Sequence, residues 1–162
     1  MSALSGVIVA DFSRVLAGPL AAMTLGDLGA RVIKVEPPAG DETRSWLPPV
    51  DGQGRSTYFH TANRNKRSVV LDLKDEGDRA LAFELAMRAD VLIENFRPGT
   101  MARFGLDWET VHAAHPNLVY CSITGFGEGA GAAMPGYDPL IQALSGMMSL
   151  TGPTDGEASK VG

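Results

Sequence analysis

The sequence predicts a three-layer α/β domain built around a mostly parallel sheet, and three observations carry that expectation. Short apolar runs recur along the chain: Val7-Ile8-Val9-Ala10, Val32-Ile33-Lys34-Val35, Val91-Leu92-Ile93 and Leu118–Ile123. Their length and branching suit strands buried on both faces. Segments of helical spacing alternate with them, the pattern of a sheet covered by helices on both sides. Within Leu4–Glu36, tight connections join strand, helix and strand into a βαβ unit, whose crossover is right-handed.

The helix of that unit opens at Ala17-Gly18-Pro19, with Pro19 at the first helical position, where a missing N–H costs nothing. Leu20, Met23, Thr24 and Leu28 recur at helical spacing, and Gly29 falls where a left-handed C-cap belongs. Pro37–Gly54 is turn-rich, a long loop carrying Trp46; loops of that length in compact domains are functional or disordered. Arg64, Lys66 and Arg67 then crowd the entrance to a third strand, Ser68–Leu73. They read either as a solvated strand entrance or as an anion site for phosphates.

Glu76–Ala89 is a helix with Ala80, Leu81, Leu85 and Ala86 on one side and acidic residues in its first turn. The fourth strand, Val91-Leu92-Ile93, ends in the polar stretch Glu94–Gly99. Thr100–Phe104 forms a short helical turn closed by Gly105, and Asp107 caps a further helix running through His115. The fifth strand is Leu118–Ile123, so strands are expected near 7–10, 31–35, 68–72, 91–94 and 118–123. Gly125–Gly136 holds five glycines, which suits a lid or a backbone that approaches a ligand closely; a plain surface loop is the alternative. Tyr137–Leu150 returns to helical spacing, with Met147 and Met148 as core filler, and the chain is loop from Thr151.

Composition narrows the function classes. Apolar residues make up 44% and charged residues 20%, as in a folded globular protein. A net charge of −5 gives no bulk attraction to nucleic acid or to an anionic membrane. The single cysteine, Cys121, lies in an apolar run as a buried structural thiol, excludes an internal disulfide framework and fits a reducing, cytoplasmic compartment. There is no basic leader followed by a long apolar stretch, and no run approaches the length of a membrane span. His60, His112 and His115 lack partner ligands for a metal, so no metal site is expected, and His112 with His115 reads as a surface pair. Glu36 at the end of the second strand invites a dinucleotide reading. The turn Ser13–Pro19 has no G-x-G-x-x-G, however, which argues against an NAD site.

Seven blocks in order, DFSRVLAGP, LGDLGARVIKVEPP, GDETR, NRNKRSVVLDLK, DVLIENFRPG, NLVYCSITGFG and GYDPLIQALSGMMSLTG, resemble the class III CoA-transferases. That family holds the formyl-CoA and carnitine CoA-transferases and the α-methylacyl-CoA racemases. The resemblance implies a Rossmann-like domain, with residues 1–162 as the N-terminal, CoA-binding portion of a longer fold whose second domain lies outside this chain. It implies an enzyme that moves CoA from an acyl-CoA thioester to a carboxylic acid through an aspartyl covalent intermediate. The family places that aspartate just beyond a segment matching Lys160-Val161-Gly162, so no catalytic residue is assigned within the chain, which alone is expected to be inactive.

By match to the family's motifs, Val15, Leu16 and Ala17 line the pantetheine or thioester region. Leu71, Asp72, Leu73 and Lys74, with Asn95, Phe96 and Arg97, border the nucleotide, and Arg103 meets a phosphate. Tyr137 and Asp138 flank the pantetheine arm. Formyl-CoA transferases have glutamine at the position of Leu16 and a basic residue at that of Pro37, which speaks against formyl-CoA/oxalate exchange. The combination of GDETRSW, ANRNK and YCSITGFG is most similar to members using succinyl-CoA and other dicarboxylic acids. Coenzyme A enters as acyl-CoA, and the expected assembly is an interlocked homodimer, without nucleic acid or membrane. A racemase-like enzyme, a non-catalytic acyl-CoA-binding module and an unrelated nucleotide-binding domain are the alternatives.

Overall fold

The computed structural model describes residues 2–161; Met1 and Gly162, the end of the Lys160-Val161-Gly162 segment, lie outside the described residues. The chain divides into two compact units, Met1–Ile123 and Thr124–Gly162.

In the first unit, strands β1 (Ile8–Asp11), β2 (Arg31–Glu36), β3 (Lys66–Val70), β4 (Val91–Glu94) and β5 (Val119–Ser122) form one sheet. Their order is β3-β2-β1-β4-β5, and each neighbouring pair is parallel. The chain therefore builds outward from β1 through β2 and β3, then returns to lay β4 on the other side of β1. Ligands of open parallel sheets bind outside the carboxyl ends of the strands at such a reversal.

Helices α1 (Ala17–Asp27) and α2 (Thr57–Asn63) pack together on one face, where Ala22 meets Val9, Val32 and Ile93. Helices α3 (Glu76–Arg88) and α4 (Trp108–Ala114) cover the other, with Ala82, Ala86 and Val111 in one core with Ala10, Phe12, Val35 and Leu92. The expected α/β layering is present. Helix α1 ends as its sequence foretells: Gly29 takes φ +103, its N–H reaches the Gly26 carbonyl at 2.9 Å, and Ala30 N–H reaches the Leu25 carbonyl at 3.0 Å. Asp107 caps α4, accepting from Thr110 N–H at 3.1 Å.

Two helical faces are rotated from the sequence reading. In α1 the buried positions are Gly18, Pro19, Ala22 and Met23, while Leu20, Thr24 and Leu28 are exposed. The helix comes so close to the turn after β1 that a Cβ on Gly18 would sit 2.2 Å from Ser13 Cβ, and Ala22 is the residue that meets the sheet. Pro19 is accordingly the third helical residue, still within the first turn where an N–H has no partner to lose. In α3, Ala82 and Ala86 are buried, whereas Ala80 and Leu81 face solvent. The third strand starts at Lys66, before its apolar run; beyond its end, Leu71 still donates to the Glu36 carbonyl at 2.9 Å, and Leu71 and Leu73 pack on the α3 side.

In the second unit, α5 (Asp138–Leu144) and α6 (Met147–Leu150) replace the one helix expected over Tyr137–Leu150. The break falls at Ser145-Gly146, where Gly146 takes φ +82. Met147 and Leu150 are exposed, so Met147 is not core filler here. Within the glycine-rich stretch, Gly125 and Gly136 face each other so closely that a Cβ on Gly125 would lie 2.5 Å from the Gly136 Cα.

A candidate ligand-binding site at the sheet reversal

The reversal lies between the carboxyl ends of β1 and β4, and the turn leaving β1 is fixed there by side chains. Asp11 Oδ1 accepts from the Ser13 N–H at 3.0 Å and from the Ser13 hydroxyl. Lys34 Nζ, from the neighbouring strand, donates to the Ser13 carbonyl at 2.8 Å and pairs with Asp41 Oδ2 at 2.9 Å; its side chain and that of Asp41 are 1% and 0% exposed. Just past β4, Asn95 accepts from the Arg14 N–H at 2.7 Å and donates to the Arg14 carbonyl at 2.7 Å. Val15 follows at φ +67, a region that β-branched residues avoid and that persists only when the surroundings over-determine it. Leu16 then precedes α1 with no side chain capping the helix.

The face of the sheet beneath α1 and α2 is ionic near its carboxyl end. Asp11, Lys34 and Ser68 are cross-strand neighbours by register. Lys66 Nζ reaches Asp11 Oδ2 at 2.8 Å, the Pro19 carbonyl at 2.8 Å and Asn63 Oδ1 at 2.9 Å. Burial pushes the Lys66 ammonium below its usual value, against the pull of Asp11. Glu36 is held by a two-pronged contact from Arg44, both at 2.7 Å, by the Ser68 hydroxyl and by the Asp41 N–H. Burial alone would raise its carboxyl, but these donors outweigh it and lower the pKa to about 2.

This layer bears on two sequence readings. The cluster Arg64, Lys66 and Arg67 is not a joint anion site: Arg64 pairs with Asp27, Lys66 is consumed by Asp11, and Arg67 is an exposed strand residue. Glu36, whose place at a strand end invited the dinucleotide reading that the missing glycine fingerprint argued against, is buried and occupied.

On the opposite face a cleft of about 310 Å³ opens at the same strand ends. Phe12, Val35 and Leu71 form its inner side, with Pro37, Leu73, Phe96 and Phe104 as further apolar walls. Arg14, Lys74, Asp72 and Thr100 add the polar groups. The turn Leu71–Lys74 is buttressed from α3. Asp78 accepts from the Asp72 N–H at 2.7 Å, and Arg79 donates to the Lys74 carbonyl at 3.0 Å. Arg14 lays its guanidinium over the Phe96 ring, 4.6 Å from the centroid.

Of the residues singled out in the sequence, Leu71, Asp72, Leu73, Lys74 and Phe96 share this cleft. Asn95 stands beside it through its hold on Arg14. Val15, Leu16 and Ala17 form the turn into α1. Arg97 and Arg103 are exposed, and Arg103 donates to the cleft residue Thr100 at 3.3 Å. Tyr137 and Asp138 belong to the second unit; Tyr137 is 69% exposed, and Asp138 accepts from Gln142 at 2.7 Å. The sequence reading missed Arg14, Phe12, Thr100 and Phe104. Arg14 lies within the DFSRVLAGP block, and its available signal was position: the third residue beyond a strand end, at a reversal that only strand order reveals.

The other reactive groups are quiet. Among the described residues, no cluster of three potential metal ligands occurs, and no helix is long and apolar enough to cross a membrane. His112 and His115 are half-buried rather than a surface pair, with His112 stacked on Trp108 at 3.9 Å. Cys121 is half-buried, and burial, with Glu94 nearby, pushes its thiol up, away from a nucleophile's range.

Residues 4–162 match the family described as CoA-transferase family III. The succinate–glutarate CoA-transferase of Agrobacterium fabrum is 50% identical over 166 residues, covering 98% of this chain and 42% of its own length. The acetyl-CoA:oxalate CoA-transferase of Acetobacter aceti is 50% identical over 159 residues, covering 97% of this chain and 40% of its own. The crystal structure of a CaiB/BaiF family protein from Brucella suis shares 49% identity at a TM-score of 0.94, over 99% of this chain and 44% of that one. The chain spans about two-fifths of the length of these curated relatives.

Proposed function

The chain belongs to CoA-transferase family III, and we propose that it supplies the Rossmann-like, CoA-binding part of an enzyme exchanging CoA between dicarboxylic acids. The observation that carries this is the cleft at the sheet reversal, apolar within and cationic through Arg14 and Lys74. A ligand with an aromatic base at one end and phosphates beside it suits such a lining. In this reading the nucleotide lies against Leu71–Lys74 and Phe96, with Arg97 and Arg103 toward phosphates. Val15, Leu16 and Ala17 face the thioester region, and Tyr137 and Asp138 flank the pantetheine arm. A volume of about 310 Å³ accommodates one end of CoA, so the remainder extends beyond the cleft.

The chemistry we assign runs through an aspartate outside residues 1–162. Its carboxylate attacks the thioester carbon, the C–S bond breaks, and CoA leaves as thiolate with a mixed anhydride behind it. The thiolate then attacks the aspartyl carbonyl, giving an aspartyl thioester and releasing the first acid. The acceptor carboxylate repeats both steps in reverse order. Splitting the exchange in this way avoids direct attack of one weak carboxylate nucleophile on a distant thioester. A dicarboxylic substrate is supported by the relatives' names, succinate–glutarate and oxalate transferases.

Transferase is favoured over racemase by Tyr137. The racemase branch resembles this chain but carries a histidine between the glycine and aspartate of that block, where this chain reads Gly136-Tyr137-Asp138. A phenol of pKa about 10 is a poor base near neutrality beside an imidazole of about 6.5. An interlocked homodimer is part of the proposal, supported by the exposure of Leu144, Met147 and Leu150. A reducing, cytoplasmic setting is supported by the single half-buried cysteine.

Calorimetric titration of the chain with CoA and with NAD tests the reading. Binding of CoA without NAD is expected; tight NAD binding without CoA would overturn it. On the longer enzyme, α-deuterium incorporation into a 2-methylacyl-CoA in deuterated water, without any acid acceptor, would mean the racemase branch.

A further inference from the structure

Cations near the carboxyl end of the sheet fall into two groups. Lys34, Arg44 and Lys66 are committed to Asp41, Glu36 and Asp11, at 2.9, 2.7 and 2.8 Å. Arg14 is different. Among the described residues its guanidinium has no carboxylate partner and no hydrogen bond, only the face of Phe96. A guanidinium stacked on a ring keeps its N–H edge free to fork onto a planar or tetrahedral anion. It lines the cleft, and side chains hold its backbone on both sides. Asn95 holds its N–H and its carbonyl, Lys34 holds the carbonyl before it, and Asp11 holds the Ser13 N–H.

Such anchoring is more than a strand-to-helix turn requires. A buried lysine and aspartate are expensive to desolvate, and their net contribution to stability is small even when well paired. Here they fix one peptide, Ser13–Arg14, and the strained Val15 after it. Strain and rigid polar clamps collect where a side chain must be presented in one orientation.

We propose that Arg14 is an anion-recognition residue of the cleft, presented by the clamp that Asn95 and Lys34 close on the Ser13–Arg14 backbone. This deepens the CoA reading and rests on it for the identity of the ligand. The anion is a phosphate of the CoA nucleotide or the free carboxylate of a dicarboxylic acyl group; both offer a pair of oxygens to the fork.

The test is titration calorimetry of the chain and its Arg14→Gln variant with CoA, dephospho-CoA, succinyl-CoA, butyryl-CoA, pyrophosphate and glutarate. Arg14 is exposed, so the variant is expected to fold, which its thermal transition verifies. Removing one charge-assisted contact is expected to weaken binding about 10- to 100-fold. A loss shared by CoA and both acyl-CoAs, and greatest for pyrophosphate among the small anions, identifies a phosphate. A loss for succinyl-CoA and glutarate that spares butyryl-CoA identifies the acyl carboxylate. If wild type binds CoA esters and Arg14→Gln binds each within twofold, the anion assignment is overturned while the CoA reading stands. If pyrophosphate or glutarate binds through Arg14 but no CoA ester binds, the anion site stands and the CoA reading falls. Absence of binding to all six ligands overturns both. Asn95→Ala separates positioning from direct contact. The double variant with Arg14→Gln should lose no more than Arg14→Gln alone, and additive losses would overturn the positioning role of Asn95.

Discussion

Replacing Lys34 by methionine probes the ionic layer at its most buried point. The side chain is 1% exposed and bridges Asp41 at 2.9 Å to the Ser13 carbonyl at 2.8 Å. Methionine fills similar volume, so cavity formation contributes little and the loss is electrostatic. Asp41 keeps the Thr43 N–H and hydroxyl, at 3.0 and 2.7 Å, but loses Lys34, its one ion-pair partner among the described residues. Removing one member of a buried pair costs about 3–5 kcal/mol, a large part of the roughly 5–15 kcal/mol that stabilises a domain. With an m-value of about 2 kcal/mol per molar, the urea midpoint should fall by about 2 M. In the wild type, burial pushes the Asp41 carboxyl up, but Lys34 and Thr43 outweigh it and hold it below the usual range. Without Lys34 that carboxyl rises, so protonation at pH 4 relieves the buried charge and the gap between variant and wild type narrows. Adding Asp41→Leu should restore most of the stability at pH 7. A midpoint shift below about 0.5 M, or an equal loss at pH 7 and pH 4, would refute the electrostatic account.

Three further outcomes follow from the same geometry. Glu36, lowered from 4.5 to about 2, contributes its full stabilisation above about 4.5, where both states are ionised. As pH falls from there toward 2 the unfolded chain takes up the proton first, so on the order of 3 kcal/mol is lost; Arg44→Ala should flatten that segment of an acid titration followed by circular dichroism. Gly18→Ala places a Cβ 2.2 Å from Ser13 Cβ and should cost about 1–3 kcal/mol in urea unfolding despite alanine's better helix propensity; a stabilised variant would contradict the close approach of α1 to β1. Asp107→Ala removes the α4 cap, which accepts from Thr110 N–H and hydroxyl at 3.1 and 2.9 Å, and should cost about 1 kcal/mol by thermal melting, while Asp107→Asn stays near wild type.

The sequence by itself determined the elements whose causes are local. The strands at 8–11, 31–36, 91–94 and 119–122 sit on apolar runs, α1 stops just before Gly29, and Asp107 caps α4, because burial on both faces, left-handed φ and side-chain capping leave marks within a few residues. Seven motif blocks carried the family resemblance, and with it the cleft residues Leu71–Lys74 and Phe96. Helix phase was less legible. Apolar spacing in α1 pointed to Leu20, Met23 and Leu28, yet of these only Met23 is buried, beside Gly18 and Ala22, which close approach to the Ser13 turn and the sheet selects. Only the tertiary structure decided which charges are free. Lys66 read as either a solvated cation or an anion ligand, and strand register set it against Asp11, 55 residues away, while Arg44 closed on Glu36 at the end of its strand. Arg14 drew no attention as a single residue, and became an open cation of the cleft because Asp11, Glu36 and Asp41 are already taken by Lys66, Arg44 and Lys34. A side chain's charge is written in the sequence, but its availability depends on partners that strand order and register bring together across the fold.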